Sequence, residues 1–318
     1  MSPRKVAVHL AQAAVFAACA WYVLRGVDLG ELWRALAGYS PLRMGAVLAL
    51  VLATFALQGL RLSLLSGRAF RALRGAQAVL LGLAVNNVLP ARLGEVAKMV
   101  YLRQKTALRL SQVLGMVFLE RFLDVNVVAV LAFGAATVAG LTSVGLPLLA
   151  VLALCWVVLI VLVVRMPEGG YALGFIPAER IREFLAQALG AVGRAAKARA
   201  ILAPLLVSIC IWALAYTFVT LMLVWLAGLD LTLGQALVAF AALFLGVSIP
   251  GMPGGIGVAE AAVVVVLGWY GVAKPEALAA ALAIRAMNFL PATILGGLVF
   301  LFSGMDRSML HEDMAEDG

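Results

Sequence analysis

Charged residues are scarce in this chain. Asp, Glu, Lys and Arg make up 13% of its 318 residues, whereas 64% are hydrophobic. Soluble globular domains carry about 25% charged residues, so this composition, with a mean hydropathy of +1.07, excludes an ordinary water-soluble domain. It favours an all-α integral membrane protein, because the length suffices for about six to eight spanning helices of roughly 20 residues. Little sequence is left for a separate soluble domain.

Cysteine and histidine are also rare, with three Cys and two His. Cys19, Cys155 and Cys210 fall in apolar stretches, so we interpret them as small apolar fillers and expect no disulfide. His9 and His311 stand alone, and no cluster of His, Cys and carboxylates has metal-ligand spacing. The sequence also contains no nucleotide-binding loop. It therefore predicts neither a metal nor a cofactor.

The basic residues lie between apolar spans, and they give the chain a net charge of +8. Juxtamembrane Lys and Arg attract anionic lipid by about 1 kcal/mol each, which favours a membrane rather than nucleic acid as the partner. The positive-inside rule places the basic connections, Arg61 and Lys98 included, and both termini in the cytoplasm of a bacterial cell, with the protein in the inner membrane. We predict spans near 6–24, 42–65, 111–139, 145–165, 201–227 and 278–303.

The N-terminal run has two possible interpretations. Arg4 and Lys5 precede an apolar stretch, which fits a signal peptide with a cleavage site near Cys19. The apolar stretch continues to Leu24 and is long enough to span, so we expect an uncleaved first helix.

Two further apolar segments, 76–104 and 235–270, are broken by proline and glycine. Asn87 and Pro90 interrupt the first segment, and Pro250 and Pro253 interrupt the second. Irregular backbone at membrane depth is tolerated only where protein or a water-filled cavity covers it. We therefore predict two re-entrant helical hairpins in addition to the six spans.

The broken segments share a Pro-x-x-(Leu/Ile)-Gly motif, at 90–94 and 253–257. Arg121 follows the first motif by 27 residues, and Arg285 follows the second by 28. Together with the loop charges, this spacing favours inverted repeats of a transporter, although two coincidental Pro-Gly breaks are the simpler alternative. The predicted membrane domain is 1–305, with repeats at about 76–165 and 235–303.

Two further segments are predicted to lie outside the membrane spans. Apolar residues recur at helical spacing in 180–199, which predicts an amphipathic helix on the cytoplasmic surface or a solvated extension of the following span. Residues 306–318 are predicted to form an acidic cytoplasmic tail.

Five ionisable residues fall inside predicted membrane segments: Glu120, Arg121, Asp124, Glu260 and Arg285. Each costs about 2.5–3.5 kcal/mol on insertion scales, so such residues usually pair with one another or face an aqueous cavity. They carry the main functional signal of the sequence.

A binding site for a phosphate group follows from these charges. Guanidinium groups grip phosphate through paired hydrogen bonds, and helix starts after the two prolines would add free N–H groups. The alternative is that the charges merely lock helices together and that the asparagines bridge them. The predicted substrate-binding residues are Asn87, Arg92, Glu95, Arg121, Asp124, Gly254, Gly255, Glu260, Arg285 and Asn288.

Three stretches resemble a known family, the transmembrane region of lysylphosphatidylglycerol synthases, also called flippase-like proteins. They are 86–95 (NNVLPARLGE), 119–124 (LERFLD) and 253–260 (PGGIGVAE). The resemblance covers roughly 5–305 and implies movement of lipid between membrane leaflets. It does not identify the lipid. Since the chain stops at Gly318, we expect no aminoacyl transfer, which in relatives belongs to a following soluble domain.

The sequence thus predicts a flippase for an anionic, phosphate-bearing lipid, whose headgroup is the expected partner. Two alternatives stay open: a membrane enzyme that modifies lipid, and a scaffold of an envelope lipid biosynthesis complex that does not transport.

Overall fold

The computed structural model describes residues 28–89, 93–141, 198–248 and 257–303, with a few isolated positions between 143 and 157. This part of the chain folds into helices and contains no strand. The predicted span 6–24, the tail 306–318, and nearly all of 145–165 and 180–199 lie outside the described residues.

Nine helices occur in the described part, and their ends carry recognisable signals. Asp28 accepts hydrogen bonds from the N–H groups of Gly30 and Glu31 at the first helix start, and Pro41 opens the second. The helices are α1 (Leu29–Ala37), α2 (Pro41–Leu65), α3 (Ala72–Val88), α4 (Gly94–Lys105), α5 (Leu110–Val138), α6 (Ala198–Thr220), α7 (Leu233–Ser248), α8 (Val258–Trp269) and α9 (Lys274–Phe302). A π-helical turn, Leu221–Leu226, extends α6.

Four of the six predicted spans coincide with the long helices α2, α5, α6 and α9. Among the described residues, three helices are long and apolar enough to cross a membrane: α2, α6 with its π-helical turn, and α9. Helix α5 has 29 residues, which corresponds to about 43 Å at 1.5 Å per residue, but it carries the charged run around Arg121. The described part of the chain is therefore helical, with helices long and apolar enough to cross a membrane.

The two broken segments each fold as a pair of short helices. Helices α3 and α4 pack against each other, as do α7 and α8. Each pair leads into a 29-residue helix, so the lengths run 17, 12 and 29 residues in one half and 16, 12 and 29 in the other. The starts and ends of α8 and α9 lie 164 positions after those of α4 and α5. The inverted orientation of the halves stays a prediction.

Apolar packing forms two clusters of buried residues. One joins the first half of α2 to α6, α7, α8 and α9. The other joins the second half of α2 to α3, α4 and the first half of α5. The charged residues of α5 lie within the second cluster, next to the fully buried Leu119 and Leu123. They therefore sit where an unbalanced charge would be costly.

Helix α9 lies unusually close to α3 at Gly296. A Cβ atom there would overlap the carbonyl oxygen of Leu80 and lie 2.6 Å from the Cβ of Ala84. The next residue, Gly297, has no neighbouring atom within 4 Å of such a position. Small residues of this kind let helix backbones approach each other in membranes.

We expect Gly296→Ala to lower the melting temperature of the purified protein, because the new methyl group pushes α9 away from α3. Gly297→Ala is the matched control. It should be neutral or slightly stabilising, since alanine is favoured over glycine in helices by about 1 kcal/mol. Thermal unfolding in detergent measures both, and equal melting temperatures would contradict the close approach.

Candidate functional site

A buried arginine of α2 organises the charged residues. Arg61 is 1% exposed. Its Nη2 lies 2.9 Å from Oε1 of Glu120, and its Nη1 donates to Oδ1 of Asp124 and, at 3.0 Å, to Oγ of Ser208. One guanidinium thereby connects α2 to two carboxylates of α5 and to α6.

Lys98 of α4 supplies a second buried cation. Its Nζ lies 2.7 Å from Oε2 of Glu120 and 2.6 Å from Oε2 of Glu95. Glu120 therefore places each of its oxygens against a different cation. This arrangement satisfies a carboxylate that is almost fully removed from solvent.

Arg121 of α5 completes the charge network, which we define as Arg61, Glu95, Lys98, Glu120, Arg121 and Asp124. Its Nη2 lies 3.4 Å from Glu120 and 3.5 Å from Glu95, and its Nη1 lies 3.4 Å from Asp124. These distances are longer than those made by the two buried cations. The side chain of Arg121 is 52% exposed, so it is the cation of the network that an external ligand can reach.

The charge network is neutral, because it contains three basic side chains and three carboxylates. The network as a whole therefore presents no net positive charge. Arg92, which was expected to add positive charge, lies outside the described residues, as do Gly254 and Gly255.

Two members of the network correct the loop assignment made from the sequence. Arg61 and Lys98 were counted among cytoplasmic loop charges, yet both are buried inside helices. The sequence did contain a signal for each. Arg61 falls within the predicted span 42–65, and Lys98 follows Glu95 by three residues, which places both side chains on one helix face.

Helix α6 contributes a further contact to the charge network, through an uncharged side chain. Trp212 donates its indole N–H to Oδ1 of Asp124 at 2.9 Å. The ring of Trp212 packs edge-on against Phe244 of α7, with centroids 4.8 Å apart. The charge network is thereby connected to the second helix pair.

The predicted free N–H groups at the two helix starts are partly occupied by side chains. The N–H of Gly94, at the start of α4, donates to Oδ1 of Asn86 at 2.7 Å. The N–H of Gly257, just before α8, donates to Oε2 of Glu260 at 2.7 Å. These donors are therefore not open to a ligand as the sequence suggested.

A small cavity lies beside the charge network. Its volume is about 30 Å³, and Gln58, Gly82, Asn86, Glu95, Lys98, Glu120 and Arg121 are among the residues that line it. A cavity of this volume holds about two water molecules. It is smaller than a lipid headgroup, so binding there requires the surrounding helices to separate.

Exposed apolar side chains flank Arg121 on α5. Phe118 and Val125 flank it on the same face of α5 and are 50% and 56% exposed, and Val96 of α4 is 46% exposed. A charged head at the edge of an apolar face matches a ligand that itself has a charged head and apolar chains.

The second half holds a simpler arrangement. Nε of Arg285 lies 3.5 Å from Oε1 of Glu260. Asn288 is exposed, and Asn87 donates to the carbonyl of Phe289 and to Oγ1 of Thr293, which connects α3 to α9. Glu95, Arg121 and Asp124 are thus brought together, Glu260 and Arg285 form a separate pair, and Asn87 bridges two helices as the alternative interpretation expected.

We expect Arg61→Met to destabilise the protein by about 3–5 kcal/mol, because it leaves Glu120 and Asp124 short of a cation in an apolar environment. Arg61→Lys should lose less, since it keeps the charge. Arg34→Met, at an exposed position of α1, is the matched control and should change stability by no more than about 0.5 kcal/mol. Chemical unfolding in detergent measures the differences, and a fully stable Arg61→Met variant would contradict the structural role.

Comparison with known proteins places the chain in a family. The sequence profile described as the lysylphosphatidylglycerol synthase TM region matches residues 9–296, which is most of the chain. No curated protein matches it significantly. Together with its long apolar helices, this match establishes that the chain belongs to the lysylphosphatidylglycerol synthase TM region family, a family of membrane proteins related to lipid metabolism or transport.

Proposed function

We propose that this protein moves an anionic, phosphate-bearing lipid between the leaflets of the bacterial inner membrane. The observation that carries the proposal is the position of Arg121. This guanidinium is half-exposed on an apolar helix face, and it is held by long ion pairs to three carboxylates.

The two buried cations explain how Arg121 can exchange partners. Arg61 and Lys98 lie 2.6–2.9 Å from Glu120 and Glu95 and are almost fully buried. When Arg121 turns to a phosphate, these carboxylates keep their shorter ion pairs. The headgroup thus meets an accessible guanidinium while each carboxylate behind it still contacts Arg61 or Lys98, so that no buried carboxylate is left without a cation.

The exposed apolar residues beside Arg121 support a lipid rather than a soluble anion. Phe118, Val125 and Val96 offer acyl chains a surface next to the charged head. A site that accepts lipid from the side avoids passing the chains through a polar interior.

Alternating movement of the two helix pairs would carry the headgroup across. Helices α4 and α8 have 12 residues each, about 18 Å at 1.5 Å per residue, whereas the hydrocarbon core is about 30 Å thick. These lengths favour re-entrant hairpins. In the proposed mechanism the two hairpins enter from opposite sides and gate a central site, as in transporters built from inverted repeats.

The basic residues that follow α2 favour cytoplasmic termini, since Arg68, Arg71 and, in the first turn of α3, Arg74 remain there once Arg61 is assigned to the interior. A lipid-modifying enzyme receives no comparable support. The carboxylates Glu95, Glu120, Asp124 and Glu260 all form ion pairs with Lys or Arg and so offer no ready general base.

We expect Arg121→Ala to slow transbilayer movement of fluorescent phosphatidylglycerol at least tenfold, because the headgroup loses its accessible cation. Protein reconstituted in vesicles is assayed by dithionite bleaching of the label in the outer leaflet. Arg34→Ala, which removes an exposed arginine far along the chain from the network, should leave the rate unchanged. Lipid movement that persists in an Arg121→Ala and Arg285→Ala double variant would count heavily against transport through this site.

A further inference from the structure

Arg285 of α9 has two hydrogen-bond donors without a partner. Its Nε and Nη2 are buried, and neither forms a hydrogen bond with the described part of the chain. The nearby carboxylate of Glu260 does not satisfy them, because its Oε1 stays 3.5 Å from Nε and its Oε2 accepts the N–H of Gly257. A buried donor without a partner is unfavourable, so such a group requires an explanation.

The two unpartnered atoms lie on the same edge of the guanidinium. The N–H bonds of Nε and Nη2 point in parallel and form a fork that matches two oxygens of one phosphate or carboxylate. The ring of Phe289 lies under the guanidinium, with its centroid 5.6 Å from Cζ. This ring contacts a face of the group, whereas the Nε and Nη2 edge has no hydrogen-bond partner.

The other two arginines differ from Arg285 in this respect. Both Nη atoms of Arg61 donate to carboxylates, and only its Nε is without a partner. Arg121 lies within 3.5 Å of three carboxylates. Of these three guanidiniums, Arg285 therefore has a whole edge unfilled.

We propose that the Nε and Nη2 edge of Arg285 is a bidentate oxyanion subsite that grips two non-bridging oxygens of a lipid phosphate. This inference rests on the proposed function, and it assigns a different role in lipid binding to each half of the molecule. Arg121 attracts the headgroup as an exposed charge, and Arg285 holds it by geometry. The substrate class is then a lipid whose phosphate keeps two free oxygens, and a glycolipid without phosphate is excluded.

Lysine substitutions separate charge from geometry. The full chain is purified in detergent, and retention of short-chain phosphatidylglycerol is titrated by native mass spectrometry. Arg285→Lys keeps the charge but loses the fork, so it should weaken retention about tenfold, as the loss of one charge-assisted hydrogen bond does. Arg34→Lys, at an exposed position of α1 outside the charge network, is the matched control and should leave retention unchanged.

Equal losses of lipid retention in the two lysine variants would overturn the proposed subsite at Arg285. If lipid retention gave that result but Arg121→Ala still abolished transport in vesicles, the proposed function would stand and the bidentate subsite at Arg285 would be wrong. A second measurement uses the unmodified protein and so does not depend on how the variants fold. A galactolipid with the same acyl chains should be retained at least tenfold less well than phosphatidylglycerol, and equal retention would overturn the proposal.

Competition with inorganic phosphate shows whether the bound oxyanion belongs to a lipid or to free phosphate. Millimolar phosphate should leave the bound phosphatidylglycerol in place, because the acyl chains contribute to its retention. Full displacement by phosphate at concentrations close to that of the lipid would overturn a lipid as the occupant of this subsite.

Discussion

The contact between Arg61 and the two carboxylates of α5 is the constraint on which the first half of the molecule depends. Glu120 and Arg61 are each 1% exposed, in a region packed with leucine side chains. Neither charge could remain there alone, because removing one partner of a buried pair leaves an uncompensated charge. The pair therefore requires α2 and α5 to stay together, and Lys98 extends the same requirement to α4.

This arrangement separates two positions within one charge network. The buried cations Arg61 and Lys98 together contact all three carboxylates, whereas Arg121, the third cation, stays half-exposed at the edge of the same network. In the interior of the network, ion pairs connect α2, α4 and α5, as the alternative interpretation of the charges expects. In the proposed function, ligand binding falls to Arg121 at the surface of this network.

The two halves have helices of nearly the same lengths in the same order, but their charged residues are paired differently. Arg121 and Asp124 have counterparts 164 positions later in Arg285 and Asn288. The first half surrounds its arginine with carboxylates, whereas the second provides Glu260 at 3.5 Å. Trp212 lies between the halves, since it donates to Asp124 and packs on Phe244 of α7. Trp212 therefore provides a direct contact between the charge network and the second helix pair.

Much of the architecture could be predicted from sequence, because hydropathy and helix breakers act locally. The long helices α2, α5, α6 and α9 agree with apolar runs, and the broken segments agree with proline and glycine positions. The family was also recognisable from three short motifs. Segments such as 6–24 and 180–199 lie outside the described residues, so their interpretations stay predictions.

The sequence by itself determined that the chain is helical, belongs in a membrane and carries a few charges that must find partners there. Only the tertiary structure decided which partners these are. Arg61 and Asp124 are 63 residues apart along the chain, and Trp212 is 88 residues from Asp124. Pairing across such separations depends on how helices pack, and no local pattern encodes it. The same packing buries Lys98 and leaves Arg121 exposed, although both are basic residues on helices of the same half.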